Sequence, residues 1–354
     1  MAEPIRLFLR VVALLPLWWV AVSQACQIPV FRYALERWSA EPYEVTVFRQ
    51  GPLNAAQQTA VDWLKQGEDS IVNLKTELVD LEAKPTEEQR ALWAAQSNAS
   101  LPWMVVRYGH APAEIPAVFA GPLDGESVRA LMDSPARREI VRRILGGDSA
   151  VWVVVESGDK ARDDSIAGMV QVELGKAEKT LKLPDLDGDK EGPKLLSELP
   201  LKLAFSVVRI SRSDAAERVL SSMLLNSEKE LGSGPAVFPI FGRGRVLGAL
   251  AGEMISAERI AQGAGFIVGE CSCQVKGLNP GFDLLVAADW EGLLAGEQRA
   301  SPSFLAERVA PTAPLAEGAV GALTWRSAAV IAGAGALLIG GLAWRTRTRP
   351  GRIS

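Results

Sequence analysis

Apolar and polar positions along this chain follow two periods, and the sequence switches repeatedly between them. Tyr43–Phe48 alternates with β-branched and aromatic residues, which predicts a half-buried strand. Asn54–Lys65 then gathers Ala60, Val61 and Leu64 on one helical face. Ile71–Val79 predicts a second strand and Thr86–Ala95 a short helix, with Glu87 and Glu88 at its positive end. Pro102 leads an apolar strand over Trp103–Tyr108, and Ala117–Ala120 forms the next. From Asp124 to Leu145 a helical side is built from Val128, Leu131, Ile140, Ile144 and Leu145. Asp124 or Gly125 opens that helix, Pro135 kinks or splits it, and Gly146-Gly147 stops it.

The alternation restarts at Ala150. Val151–Val155 is wholly apolar, as in a strand buried on both faces. A long helix over Asp159–Leu181 and a charged loop over Leu183–Leu199 follow, then a strand at Leu203–Ile210 and a helix at Asp214–Leu225. Pro235 opens a strand over Ala236–Phe241, Gly242-Arg243-Gly244-Arg245 reads as a hairpin turn, and Val246–Ala251 returns. Ser256 caps a helix reaching Val268, and Asp283–Ala288 is a last apolar strand. Ahead of all this, Phe31, Leu35 and Trp38 share a helical face in Cys26–Trp38, a segment (26–41) expected to dock on the first unit.

The two ends read differently. Arg6 and Arg10 precede the apolar run Val11–Val22, and Ser23-Gln24-Ala25 offers small residues to a signal peptidase, so 1–25 reads as a cleaved leader. Cleavage there makes Cys26 the first mature residue and a candidate for lipidation, although Ser23 stands where a lipobox expects leucine. At the other end Ser327–Trp344 holds 18 uncharged residues. As a helix these reach about 27 Å, close to a bilayer core. Trp325 and Trp344 mark the edges of a span over 323–345, and four arginines within the 346–354 tail and its border place that tail in the cytoplasm. Ala328, Ala332, Ala336 and Gly340 form a small-residue ridge suited to helix association. Residues 291–322, rich in Ala, Pro, Gly and Glu, read as a flexible linker. The expected location is the cell envelope, with the body extracytoplasmic, and the expected partners are the membrane and other envelope proteins.

Charge narrows the function. Thirty-eight basic against 42 acidic residues give a net charge of −4, too little positive charge for a nucleic-acid partner. One histidine, His110, excludes a histidine-rich metal centre. No phosphate loop, nucleophile elbow or nucleophile–base pair is present, so the sequence calls for no cofactor and names no small-molecule ligand.

The order strand–helix–strand–helix–hairpin–helix occurs twice, a mixed-sheet α/β pattern. It resembles the thioredoxin fold. Gly234-Pro235-Ala236-Val237-Phe238-Pro239-Ile240-Phe241 is similar to that family's proline-led hairpin strand, and Ala120–Leu131 to its final strand and helix. The resemblance implies an α/β fold of two thioredoxin-like domains, at 42–148 and 149–290, with mixed central sheets. It also implies a cis-proline at Pro235 and, by a looser match, at Pro102. The redox C-x-x-C of that family is missing: Arg49-Gln50-Gly51-Pro52 and Glu156-Ser157-Gly158-Asp159 follow the first strands. The implied role is therefore a non-catalytic binding or scaffold module. Cys26–Trp38 and Phe238–Trp290 also resemble a poorly characterised group of exported bacterial proteins, which brings no activity with it.

Three features carry candidate chemistry. Cys271-Ser272-Cys273 can form a bridge, exchange thiols or hold a soft metal such as Cu(I). With Cys26 the count is odd: Cys271 and Cys273 pair with each other, or Cys26 bridges to either. Arg243 and Arg245 in their glycine turn are candidates for binding an anion. Asp185, Asp187, Asp189 and Glu191 alternate like the start of a calcium loop, but Lys190 and Leu196 replace the glycine and glutamate it needs, so a solvated acidic loop fits better.

Overall fold

The computed structural model describes residues 26–109, 115–186, 194–228, 231–271 and 274–296. Strand β1 (Cys26–Pro29) leads into helix α1 (Val30–Arg37). The first sheet region then follows: β2 (Tyr43–Arg49), α2 (Ala55–Glu68), β3 (Leu74–Asp80), α3 (Glu87–Ala94), β4 (Trp103–Arg107) and β5 (Phe119–Pro122). Helices α4 (Gly125–Met132) and α5 (Pro135–Leu145) close it. Of the two outcomes expected at Pro135, a kink or a split, the helix is split: Ser134 caps α5 and Pro135 occupies its first turn, where a missing N–H costs nothing.

The second region comprises β6 (Ala150–Glu156), α6 (Lys160–Thr180), β7 (Phe205–Ser211), α7 (Arg218–Leu225), β8 (Ala236–Phe241), β9 (Arg245–Val246) and β10 (Leu250–Ala251). Helix α8 (Ala257–Val268), capped by the Ser256 side chain, β11 (Glu270–Cys271), β12 (Phe282–Asp283) and α9 (Trp290–Leu294) complete it.

Both regions build mixed α/β sheets with the same central order. In the first, β3-β2-β4-β5, β2 runs parallel to β3 and antiparallel to β4. In the second, β12-β9-β8-β6-β7, β6 runs parallel to β7 and antiparallel to β8, with β10 added on β8. The inward residues of both sheets meet in one apolar cluster. Val45, Val47 and Met104 of the first share it with Val151, Val153 and Phe238 of the second, and with Leu131, Ile140, Leu220 and Met223 from the helices. Strand β6 is buried on both faces, as its unbroken apolar run requires; Trp152 and Val154 point to a second cluster.

That second cluster corrects the expected place of the N-terminal segment. Val30, Phe31, Ala34 and Trp38 pack against Trp152, Val154, Phe241 and Ile260, so α1 docks on the second sheet, not the first. β1 pairs antiparallel with β11, and the Val30 amide donates to the Gly269 carbonyl at 3.0 Å. Every residue of α1 from Val30 to Glu36 is buried, and each large apolar side chain so removed from water stabilises by about 1.5–3 kcal/mol. The close fit explains one glycine: Gly242 has φ +57°, and a Cβ there would lie 2.7 Å from the Ala34 Cβ.

The predicted last strand is shorter in fact. Only Phe282–Asp283 pairs, with β9; Leu284–Val286 continue extended into the core, and Ala287 bridges to Val72. Val246–Ala251 likewise divides into β9 and β10 around Gly248. The Leu101–Pro102 peptide bond is cis, whereas Gly234–Pro235 is trans, the isomer X-Pro bonds favour, with Arg212 Nη2 donating to the Gly234 carbonyl at 2.5 Å. Among the described residues no helix is long and apolar enough to cross a membrane. The leader (1–25), the linker after Gly296, the span with Ala328, Ala332, Ala336 and Gly340, and the basic tail lie outside the described residues.

Candidate functional site

In each sheet region the first central strand, β2 or β6, turns into the following helix, α2 or α6. In the first sheet Arg49 leaves β2, donates through Nη1 to the Gly51 carbonyl at 2.6 Å and pairs through Nη2 with Asp80 at 2.9 Å. Asn54 then caps α2 reciprocally with Gln57. In the second sheet the buried carboxylate of Asp163 folds back over the N-terminus of α6. It accepts from the Ser157 amide at 2.9 Å, the Ser157 hydroxyl at 2.8 Å and the Gly158 amide at 2.9 Å. Each turn is closed by its own side chains.

Burial alone raises the Asp163 pKa; the hydrogen bonds from Ser157 and Gly158, with Arg209 nearby, outweigh it and hold the carboxyl below the usual aspartate range. A depressed folded pKa contributes stability that is present above the unfolded value near 3.9 and disappears as pH falls through the folded value. Asp163→Asn is therefore expected to cost about 1–3 kcal/mol at neutral pH. Its stability should converge with that of the wild type as pH falls through the depressed folded pKa, read by thermal melts from pH 7 downward.

A cleft of about 180 Å³ opens where the two sheets meet, lined by Glu41, Tyr43, Tyr108, Ile115, Phe282 and Asp283 among others. The rings meet in sequence, Tyr43 tilted against Tyr108 at 5.4 Å and Tyr108 edge-to-face with Phe282 at 5.5 Å between centroids. Both phenols are hydrogen-bonded within the fold. Tyr43 donates to the Asp283 carbonyl at 2.7 Å and Tyr108 to the Met223 carbonyl, and burial pushes both well above the ordinary tyrosine range. The Asp283 carboxylate is committed as well, accepting from the Glu41 amide at 2.7 Å, from Arg245 at 3.2 Å and from Lys276. The cleft is an aromatic-walled recess of a size to seat a small apolar group.

Arg243 and Arg245, the anion-binding candidates, have donors engaged within the fold. Arg243 is 8% exposed; it donates to the Leu35 carbonyl at 2.8 Å and pairs with Glu291 at 2.5 Å. Arg245, besides Asp283, reaches the Asn279 carbonyl at 2.8 Å and the Pro280 carbonyl at 3.2 Å, and lies over the Trp38 ring at 5.6 Å. The two arginines lock α1, β12 and α9 against the turn.

Cys271 is buried at 1% exposure, and its Cα is the ladder partner of Cys26; Cys273 lies outside the described residues. So do His110 and Asp187, Asp189 and Glu191 of the acidic loop. Among the described residues no group of three or more His, Cys, Asp or Glu side chains is placed to hold a metal.

Two polar clusters escaped the sequence reading. Arg32, Glu36 and Arg37 of α1 grip the strand-less segment Lys194–Leu199 by its backbone, and Arg137 sits fully buried among carbonyls. Arg32 and Glu36 stand at i and i+4, a spacing that signals an ion pair but not that it is buried. No family model matches the chain, and no curated protein matches it.

Proposed function

We propose that this chain is a membrane-tethered, extracytoplasmic binding or scaffold protein, built on two thioredoxin-like domains without a dithiol and serving as an accessory subunit among other envelope proteins. The closed pair of strand-to-helix turns carries this reading: the positions that would present a nucleophile instead hold the Arg49–Asp80 pair and the Asp163 carboxylate, each satisfied locally. The central strand order common to both sheets supports the fold assignment, with domains at 42–148 and 149–290. The cleft, with its phenols and Asp283 already committed, suits recognition better than turnover. Burial of Cys271 works against thiol exchange or copper handling, since reactive thiolates sit in partly exposed, electropositive places. The leader at 1–25, the span at 323–345 and the arginine-rich tail supply the tether.

Expression of the full chain in a bacterial host tests both parts. Protease added outside spheroplasts should degrade the body and spare the C-terminal tail. The detergent-purified chain should reduce a small disulfide substrate no faster than its Cys271→Ser and Cys273→Ser variants. A soluble cytosolic product retaining Met1 overturns the topology; a wild-type turnover lost in either variant overturns the non-catalytic role.

A further inference from the structure

We infer that the cleft where the two sheets meet binds a small organic cation of the quaternary ammonium class; the inference rests on reading that cleft as a recognition site and names what it recognises. Size sets the first limit. An apolar cavity of about 150 Å³ holds one benzene ring, so a cleft of about 180 Å³ admits one compact group of that bulk. The walls then select among such groups. Tyr108 and Phe282 are half-buried, and their planes stand at 86° with centroids 5.5 Å apart, so two walls meet at a right angle as in a box. Tyr43, tilted 41° against Tyr108, adds a third ring. The face of an aromatic ring carries partial negative charge and attracts a cation within about 6 Å of its centroid.

Charge points the same way. Two carboxylates line the cleft, Glu41 and Asp283, and among the described residues no basic side chain does. The two differ in what they leave open. The Asp283 side chain is 4% exposed, with one oxygen taken by Arg245 and the other by the Glu41 amide and Lys276. The Glu41 side chain is 53% exposed, and its pair with Lys276 is long, at 3.4 Å. Asp283 is therefore a fixed wall, and Glu41 is the carboxylate open to an incoming charge.

The class of cation follows from hydrogen bonding. A primary ammonium or a guanidinium brings several N–H donors, and ring faces leave most of them unmatched. A trimethylammonium head has no N–H. It spreads its charge over methyl groups and offers the apolar surface that rings bury. A neutral group of equal size fills the same space but gains nothing from Glu41, and an anion is repelled by it.

The test titrates the full chain, purified in an uncharged maltoside detergent, with choline and with its neutral isostere, in which a tert-butyl group replaces trimethylammonium. Saturation-transfer NMR reads both. Choline should bind on the order of 10-fold more tightly than the isostere. Glu41→Gln should weaken choline about 5-fold and leave the isostere unchanged. Phe282→Leu keeps apolar bulk but removes a ring face, and should weaken choline by a similar factor. Glu41 is exposed, so the first variant carries the test even where the second fails to fold. Phosphocholine bears the same head beside a phosphate that Glu41 repels, and should bind more weakly than choline; tighter binding overturns the free cation as occupant in favour of a lipid headgroup. Absence of choline binding, equal binding of choline and the isostere, or choline binding untouched by Glu41→Gln overturns the inference and leaves the recognition reading of the cleft standing. Recovery of chemically altered choline overturns that reading itself.

Discussion

Arg137→Met should lower the unfolding free energy by about 3–5 kcal/mol, the largest single-residue effect expected outside the apolar core. The side chain is 2% exposed. Its Nη1 donates to the Leu131 carbonyl at 2.7 Å and the Leu285 carbonyl at 3.1 Å, Nη2 to the Ala130 carbonyl at 2.7 Å, and Nε to the Ser134 hydroxyl at 3.1 Å. Ala130 and Leu131 lie in the last turn of α4, whose carbonyls have no partner within the helix, so Arg137 serves as its C-terminal cap from α5. Leu285 belongs to the extended stretch after β12, which one guanidinium thereby ties to both helices. Burial pushes the Arg137 pKa down to about 10, with Asp133 and Glu217 working in the other direction, so the group stays charged at neutral pH. Methionine fills similar volume without the charge, which removes the desolvation cost yet strands three buried carbonyls. Lysine keeps a charge but loses the fork, and should recover less than half of the deficit. Urea unfolding of the detergent-solubilised chain measures this; a loss under about 1 kcal/mol would show that water replaces the guanidinium.

The second large effect belongs to the grip of α1 on Lys194–Leu199. Arg32 Nε bonds Glu36 at 2.7 Å with both side chains at most 1% exposed. Arg32 Nη2 donates to the carbonyls of Ser197 at 2.8 Å and Leu199 at 3.0 Å. Glu36 accepts from the amides of Leu196 at 2.8 Å and Ser197 at 3.2 Å, while Arg37 donates to the Lys194 carbonyl. Glu36 also pairs with Arg37 at 3.0 Å, so Arg32→Met leaves it a cation, whereas Glu36→Gln takes away the carboxylate that Arg32 pairs with, at a cost of about 3–5 kcal/mol. Glu36→Gln should therefore destabilise more than Arg32→Met, and the double variant less than their sum. Because the lost bonds are those that hold the segment, trypsin should cut after Lys194 on the order of 100-fold faster in either single variant. Unchanged cleavage would place the anchoring of this segment in its leucines instead.

The comparison of sequence with structure divides along sequence distance. Elements whose signals are local were legible: the helices beginning near Asn54 and Thr86, the Ser256 cap, the apolar run of β6, and the break at Pro135. Elements defined by a distant partner were not. Cys26–Pro29 becomes a strand only because Glu270–Cys271 lies beside it. Leu284–Ala288 alternates too little to distinguish a paired strand from an extended core segment, and only its first neighbours pair. Arg243 and Arg245 in a glycine turn look solvent-facing until α1 and α9 arrive to bury them, and Arg32, Glu36 and Arg137 look like surface charges for the same reason. The absence of a C-x-x-C could be read directly; the Asp163 carboxylate that closes one of those turns could not, since nothing in the residue order shows it turning back.

The docking of α1 has a temporal side. The indole N–H of Trp38 meets the Gln274 carbonyl, a partner 236 positions further along the chain. A chain synthesised from its N-terminus presents this amphipathic stretch first and its seat near the end. Phe31, Leu35 and Trp38 stay unsheltered meanwhile, and contacts of such long range slow the final assembly. The body thus matures only after nearly all of it has been made, and whatever shields those side chains in the interval helps decide how much of the protein folds.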